Sequence, residues 1–474
     1  MKDLTKGKEG KVILQYAMPM IIGNIFQQLY NFINTMVVGR YLGHEKMAAV
    51  TDSFPVLFAV IALAIGLTIG GSVVVAQNFG AKNFNQVKRA SDTIIIYLFF
   101  LGLLLGAIGY FFSADILRLL STPPELMEMA TEYLQVMMLG CVAIFGYNGV
   151  AAILRGVGDS KTPLYFLIFS TVLNLGLDLL FVLYFDWGLT SIAYATVISN
   201  AAAWLLTLVY LNKKNNLIRF SLRKAVFDKK IFKQSLAIGL PSGIQQTFVA
   251  IGAMALLKII NPFGTVVVSA FGAAGRIDTL ISAPAMNFAG ALSGFVGQNI
   301  GAGLYGRLKR GLRSTLIMSG IVCLALTVVA IFFGEAIMRL FVSSEDGANA
   351  AVINEVVRVG HEYLIIVCSF YILFSTMFVM NGFLRGAGAV IVPMLTTLLS
   401  LWLVRIPVAL FLSERLGVVG IWWAIPIAWA IGLLGSFLYY KSGHWKKSTV
   451  VKQNHPPQES VQDPDASKDF TARV

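Results

Sequence analysis

Apolar runs of roughly 20 residues, the length that crosses the hydrocarbon core of a bilayer, recur along the chain between short polar connections. Twelve such runs are read, centred near residues 25, 65, 102, 142, 173, 200, 246, 285, 322, 371, 402 and 429. At about 1.5 Å of rise per residue each is long enough to span as a helix. The pattern predicts an all-α integral membrane protein.

The pattern also repeats. The stretch VAQNFGAKNFNQVKR, from Val75 to Arg89, returns as VGQNIGAGLYGRLKR, from Val296 to Arg310, and seven of its fifteen positions are identical. LRGVG at 154–158 returns as LRGAG at 384–388, and Glu132-Tyr133-Leu134 returns as Glu362-Tyr363-Leu364. Each copy holds six spans, an even number, so both enter the membrane in the same direction. They form two six-helix bundles related by a pseudo-two-fold axis along the membrane normal. The expected organisation is an N-terminal lobe over 1–211, a cytoplasmic linker over 212–231, a C-terminal lobe over 232–445 and a disordered cytoplasmic tail over 446–474. The Pro-rich, polar composition of the tail, HPPQESVQDPDASKD, is the reason for that last expectation. Two facing bundles leave a cleft between them, and rocking of one against the other would expose it alternately.

Composition agrees with a bilayer setting: 57% hydrophobic and 13% charged residues, with a mean hydropathy of +0.74, against about a quarter charged in soluble domains. The formal charge of +13 would suggest nucleic acid in a soluble protein. Here the basic residues fall on alternate connections: Lys2 to Lys11, Lys82 to Arg89, Arg155 and Lys161, Lys213 to Lys233, Arg307 to Arg313, and Lys441 to Lys447. The opposite connections hold Glu125, Glu128, Asp186, Glu345 and Asp346. This positive-inside pattern places both termini in the cytoplasm and leaves nucleic-acid binding without a role. Cys141, Cys323 and Cys368 lie in apolar runs without ligand-like spacing and read as small core residues, so no metal site or cofactor is expected. The QN-GA segments at 77–81 and 298–302 read as turns followed by basic headgroup anchors, with no substrate contact.

Candidate chemistry resides in polar groups that lipid should not tolerate. Asp178 lies about fifteen residues, or roughly 22 Å, along span five from Pro163. A carboxylate near a helix centre in lipid costs about 2.5 to 3.5 kcal/mol, so it must face the bundle interior or water. Asn174 is one turn away on the same face. Asn34 of span one, Asn148 of span four and Asn200 of span six can bring amides to it. Such a group could carry a proton, coordinate Na⁺ through oxygen ligands, or anchor a structural hydrogen-bond network. The second copy has Val408 at the position matching Asp178 and offers instead Arg276, Asp278 and Arg405 as buried charges, which pair with one another or with backbone carbonyls rather than bind ligand. Tyr30, Met138, Phe145 and Tyr147 are candidates for lining a cleft that takes bulky organic cations, since thioethers adapt and aromatic faces attract positive charge.

PMIIGNIFQQLYNFINTMVVGRYLG at 19–43, VAQNFGAK, ILRGVGDSKTP at 153–163 and NLGLD at 174–178 together resemble a bacterial multidrug and toxic compound extrusion (MATE) transporter, over residues 10 to 443. The resemblance implies a monomeric antiporter of the cell membrane with two lobes in a V, in which inward H⁺ or Na⁺ drives export of organic cations and other drugs. It implies a coupling-cation site at Asp178 and Asn174, with Asn148 matching the span-four asparagine. One departure stands out: relatives commonly carry an aspartate where this chain has Asn34, and an amide cannot exchange a proton at physiological pH. The span-seven and span-ten acids of one branch are absent as well. Within transport the rival is a flippase for lipid-linked oligosaccharides, which predicts a strongly cationic central cavity. An integral membrane enzyme is a weaker rival, because no HExxH, GxSxG or comparable pattern is present.

Overall fold

The computed structural model describes residues 2–37, 44–120, 122–185, 188–214, 217–221, 223–341 and 350–451, with the side chains of 31–37, 44, 45, 47, 48, 183 and 341 outside the description. The described residues are predominantly helical and hold no strand. Twelve rods follow in order. Span one is Glu9–Val37, span two His44–Gly80, span three Phe84–Leu119, span five Lys161–Leu183, span six Thr190–Lys214, span seven Lys229–Ile260, span eight Thr265–Gly301, span nine Tyr305–Phe341 and span twelve Val418–Ser442. Span four is a pair, Pro124–Leu139 and Cys141–Gly156, bent by 41°, and span ten is Ala350–Ser369 and Tyr371–Gly386, bent by 51°. Span eleven runs through Ile391–Leu398, a π-helical stretch Leu399–Arg405, and Ile406–Leu416.

The two bends fall at Gly140 and Phe370, which are related by the repeat. Only the first is a glycine, so the shared bend comes from how the pair packs and not from residue type alone. The π-helical stretch immediately precedes Pro407, whose missing N–H and ring cannot be fitted into a regular α-helical ladder. Asp228 caps span seven by accepting from the amides of Lys230 (2.9 Å) and Ile231 (3.2 Å).

The outer faces of the repeat-related spans three and nine are apolar and bare. Phe111 and Phe332 are 76% and 77% exposed, and Leu119 and Leu340 are 84% and 83% exposed, which only a lipid surround accommodates. Inside, the packing does not respect the halves of the chain. Ile13, Tyr16 and Ala17 of span one belong to a core built from Phe288, Phe295 and Phe383 of the second half. Ile231 and Ile238 of span seven join the core formed by Leu67, Val74 and Ile94 of the first. Ile218, in the stretch expected to be a free linker, is fully buried in that same core. Spans two and seven meet glycine to glycine: a side chain at Gly66 would collide with the backbone of Gly243, and one at Gly70 with the backbone of Ser235 and Gly239. Small residues of this kind let helix backbones approach closely where no hydrophobic force draws them together.

The stretch beyond 446, expected as disordered tail, begins as an ordered segment. His444–Ser448 forms a 3₁₀ turn, Trp445 is buried against Phe383, and Val450 packs into the core of the first half. Residues 452–474 lie outside the described residues.

Candidate functional site

Asp178 is buried, 1% exposed, and neither of its carboxylate oxygens has a hydrogen-bond partner among the described residues. One helical turn earlier Asn174 is buried too; its amide donates to Thr196 Oγ1 of span six (3.4 Å), while its oxygen is unpartnered. Asn200 donates to the Thr196 carbonyl (2.8 Å), so spans five and six carry one polar seam. Like Asn200, Asn148 turns back to a carbonyl of its own helix, that of Ile144 (2.8 Å), and is half-buried. The Asn34 side chain lies outside the described residues. Asn24 of span one contributes another buried, unpartnered amide oxygen. The first lobe thus holds several buried oxygens that have no donor among the described residues.

The second lobe differs. Asp278 accepts a close hydrogen bond from the Tyr371 hydroxyl of span ten, and Arg405 stands at the end of the π-helical stretch with its Nε unpartnered. No Asp278–Arg405 ion pair is formed among the described residues, nor any pairing through Arg276. Arg276, read from sequence as buried, is exposed, because its side of span eight turns away from the helices packed against Ile277 and Ala274.

Two of the residues read as lining the cleft do not. Met138 is 1% exposed and fills the space over Gly106 and Gly109 of span three, and Phe145 is fully buried between Gly102 and the first-half core. Span three has glycines where these bulky side chains insert, so they are packing residues. Tyr147 donates its hydroxyl to the Pro163 carbonyl (2.9 Å), tying span four to span five. Tyr30 is half-buried on span one.

The space between the halves is a cavity of about 240 Å³. Tyr16 and Met20 come from span one, Thr68 and Ser72 from span two, Gln246 from span seven, Ser293 from span eight and Phe378 from span ten. Arg155 and Arg385, the arginines of the two LRG repeats, also line it. Sequence reading took Arg155 as a basic residue of a connection; the structure places it in the last turn of its helix, facing the cavity. Each helix then ends in the same motif. Asp159 N bonds the Leu154 carbonyl (2.8 Å) and Gly158 N that of Arg155 (2.9 Å), and Ala389 and Gly388 repeat both bonds at 2.9 and 2.8 Å. Gly158 and Gly388 have φ of +83° and +89°, the left-handed conformation such an ending needs.

At the end of the molecule carrying the basic connections, the cavity is sealed by the glutamines of the QN-GA repeat. Gln77 donates to the Gly386 carbonyl (3.0 Å) across the boundary, and Gln298 donates to the Gly156 carbonyl (2.9 Å) in the reverse sense. Their oxygens accept from opposite ends of the chain, Gln77 from Val450 N (2.8 Å) and Gln298 from Leu4 N (2.9 Å). The same segments run over Gly158 and Gly388, where a side chain would collide with the carbonyls of Lys2 and Ser448 respectively. Identity between the repeats at Gln77 and Gln298 signalled a shared task, but only the fold reveals that the two side chains cross the boundary.

Residues 19–180 and 241–411 match the family model MatE. The chain belongs to the MatE family. It is 33% identical over 445 residues to the probable multidrug resistance protein YpnP of Bacillus subtilis, covering 94% of this chain and 97% of that protein. It is 31% identical over 446 residues to the probable multidrug resistance protein YoeA of the same organism, covering 92% and 94%. A solved structure described as an outward-facing conformation of a multidrug resistance MATE family transporter superimposes with a TM-score of 0.87 at 25% identity, over 94% of this chain and 99% of that one. The two-bundle, twelve-span architecture expected from the repeat is therefore that of the MatE family.

Proposed function

We propose that this MatE protein is a multidrug efflux antiporter of the cell membrane. It exports drugs through the cleft between its lobes in exchange for H⁺ or Na⁺, with Asp178 as the coupling carboxylate. Its basic connections and both termini lie on the cytoplasmic side. The observation that carries the reading is the buried carboxyl of Asp178 with neither oxygen hydrogen-bonded among the described residues. A carboxylate removed from water and left without a donor is strongly disfavoured, so the site is stable with a proton or a cation added. Adding or losing that charge alters how spans five and six pack through Asn174, Thr196 and Asn200, and a lobe that packs in two ways provides alternating access. With an amide at position 34, Asp178 is the acid on which coupling depends in this lobe.

The direct test is dye efflux from proteoliposomes under separately imposed pH and Na⁺ gradients. One of the two gradients should drive transport by the wild-type protein, and Asp178→Asn should lower the driven rate at least about tenfold, a loss of about 1.4 kcal/mol of coupling. Unchanged driven transport in a variant that elutes and melts like the wild type would sink the assignment.

A further inference from the structure

The segment that follows span twelve is fastened at its two ends to different parts of the molecule. Its near end belongs to the second lobe. Trp445 is buried with its ring edge-on to Phe383 of span ten and stacked on Tyr440 of span twelve, and its Nε1 donates to the Tyr440 carbonyl (3.1 Å). The Ser448 carbonyl lies over Gly388, just beyond span ten. Two residues further on, the segment has left that lobe. Val450 N and Val451 N both donate to Gln77 Oε1 of span two (2.8 and 3.4 Å), and the Val450 carbonyl accepts from Gln234 Nε2 of span seven (3.5 Å). The Val450 side chain packs on the first-half core. The backbone of one residue is thus bonded to span two on one side and to span seven on the other, the two spans that meet glycine to glycine. The N-terminal segment, at the repeat-related Gln298, is held differently. Leu4 is fully buried, Asn299 donates to its carbonyl (3.2 Å), Arg307 donates to the Gly7 carbonyl (2.7 Å), and Glu9 is ion-paired with Arg307 and Arg310 (3.3 and 3.0 Å). Val450 is only half-buried, and no ion pair holds residues 444–451 among the described residues.

We propose that residues 444–451 form a strap whose far end, at Val450 and Val451, must leave Gln77 and Gln234 before the basic end can open, while Trp445 keeps the near end on the second lobe. Spans two and seven cannot separate with Val450 bonded to both, because a hydrogen bond does not survive stretching beyond its normal range. The residue that blocks opening is also readily released. Three hydrogen bonds and a half-buried side chain hold the far end, and each of those bonds is modest once water can take its place. Anchored by Trp445, the released end stays close to its slot, so redocking is intramolecular. The strap therefore biases a two-state equilibrium toward the arrangement closed at the basic end. This role is independent of what the cleft carries and of the ion that drives it.

Access to the cavity from the basic end tests the strap apart from transport. The full-length protein carrying Ser293→Cys, in the cavity lining, is placed in vesicles that present the basic end to the outside and is labelled with a membrane-impermeant maleimide; Cys141, Cys323 and Cys368 are buried. Val450→Asp sets a carboxylate against an apolar core and should speed labelling about fivefold or more, the effect of losing contacts that are individually modest. Val450→Ile, which keeps the apolar contact, should label at the unaltered rate. Ending the chain after Ser448 removes the far end without placing a charge in the core and should act like Val450→Asp, whereas ending it after Gln453 keeps the strap and should change nothing. Release is read directly with Val450→Cys in place of Ser293→Cys. Combined with Gly70→Val, which drives a side chain into the Ser235 carbonyl and parts spans two and seven, labelling at position 450 should rise several-fold. Unchanged labelling of Ser293→Cys in Val450→Asp and in the chain ending at Ser448, with both eluting and melting like the wild type, overturns the proposal. So does slow labelling at position 450 when Gly70→Val has opened the cavity. No gradient is applied, so the outcome for Asp178→Asn in coupled transport leaves these readings untouched, and the reverse holds too.

Discussion

Asp178 and Asp278 show how differently one residue type is treated in the two lobes. Asp178 has no donor among the described residues, whereas Asp278 is held by the Tyr371 hydroxyl, whose ring stacks on Trp429. The second carboxyl is therefore part of the scaffold. Tyr371→Phe should remove the donor while keeping the ring, and so destabilise the protein by about 1–3 kcal/mol, the cost of leaving a buried polar group unsatisfied. Thermal unfolding followed by tryptophan fluorescence would register a lower Tm, with the gradient that drives dye efflux unchanged; an unaltered Tm would show that the hydroxyl contributes nothing. Of these residues, Asp178 and Asn174 were legible from sequence, because a carboxyl and an amide four residues apart in an apolar run leave few choices of face. Met138 and Phe145 were not, since a helix apolar on all sides gives no sign of which side chains meet a neighbouring helix and which meet a cavity. Arg276 was misplaced for a related reason: a charge within an apolar span can lie on the helix face turned away from its neighbours, where the side chain stays exposed.

Spans two and seven are the elements on which the closed arrangement depends. Gly66 and Gly70 face Gly239 and Gly243 with backbone against backbone, and Leu63 and Leu67 of span two pack beside the contact with Ile238 of span seven. Such an interface is tight. A valine at Gly70 has nowhere to go except into the Ser235 carbonyl, so Gly70→Val should hold the helices apart. Ser293→Cys, in the cavity, reports on this: labelling by a membrane-impermeant maleimide added from the basic side should be slow in the otherwise unaltered protein and several-fold faster with Gly70→Val. Equal rates would mean that the glycine contact does not close the cavity. Glycines scattered through the spans are visible in the sequence. Their partners were not visible, because a glycine gives no periodic pattern from which a facing helix can be inferred. Twelve apolar runs were likewise readable as twelve rods, while the bend at Phe370 arises from tertiary packing and had no comparable local signal; the π-helical stretch Leu399–Arg405 has one in Pro407.

For the molecule as a whole, the doubling of the chain produced two lobes that share a seam. Span one packs on span five of its own half as well, so the second-half core it enters, like the first-half core that span seven enters, marks where the lobes meet. Gln77 and Gln298 hold the basic end shut through five hydrogen bonds among the described residues, two across the boundary and three from the backbone of Leu4, Val450 and Val451. Each such bond contributes about 0.5–1.5 kcal/mol, so Gln77→Ala combined with Gln298→Ala should shift the population toward separation at this end. Spin labels on Asn85→Cys and Lys309→Cys, both exposed there, should show a longer distance becoming populated; an unchanged distribution would remove the glutamines from the closure. Val450 lies beyond all twelve spans, so the helices alone lack one of the pieces that seal the basic end: without the segment after span twelve the Gln77 oxygen would lose its donors there.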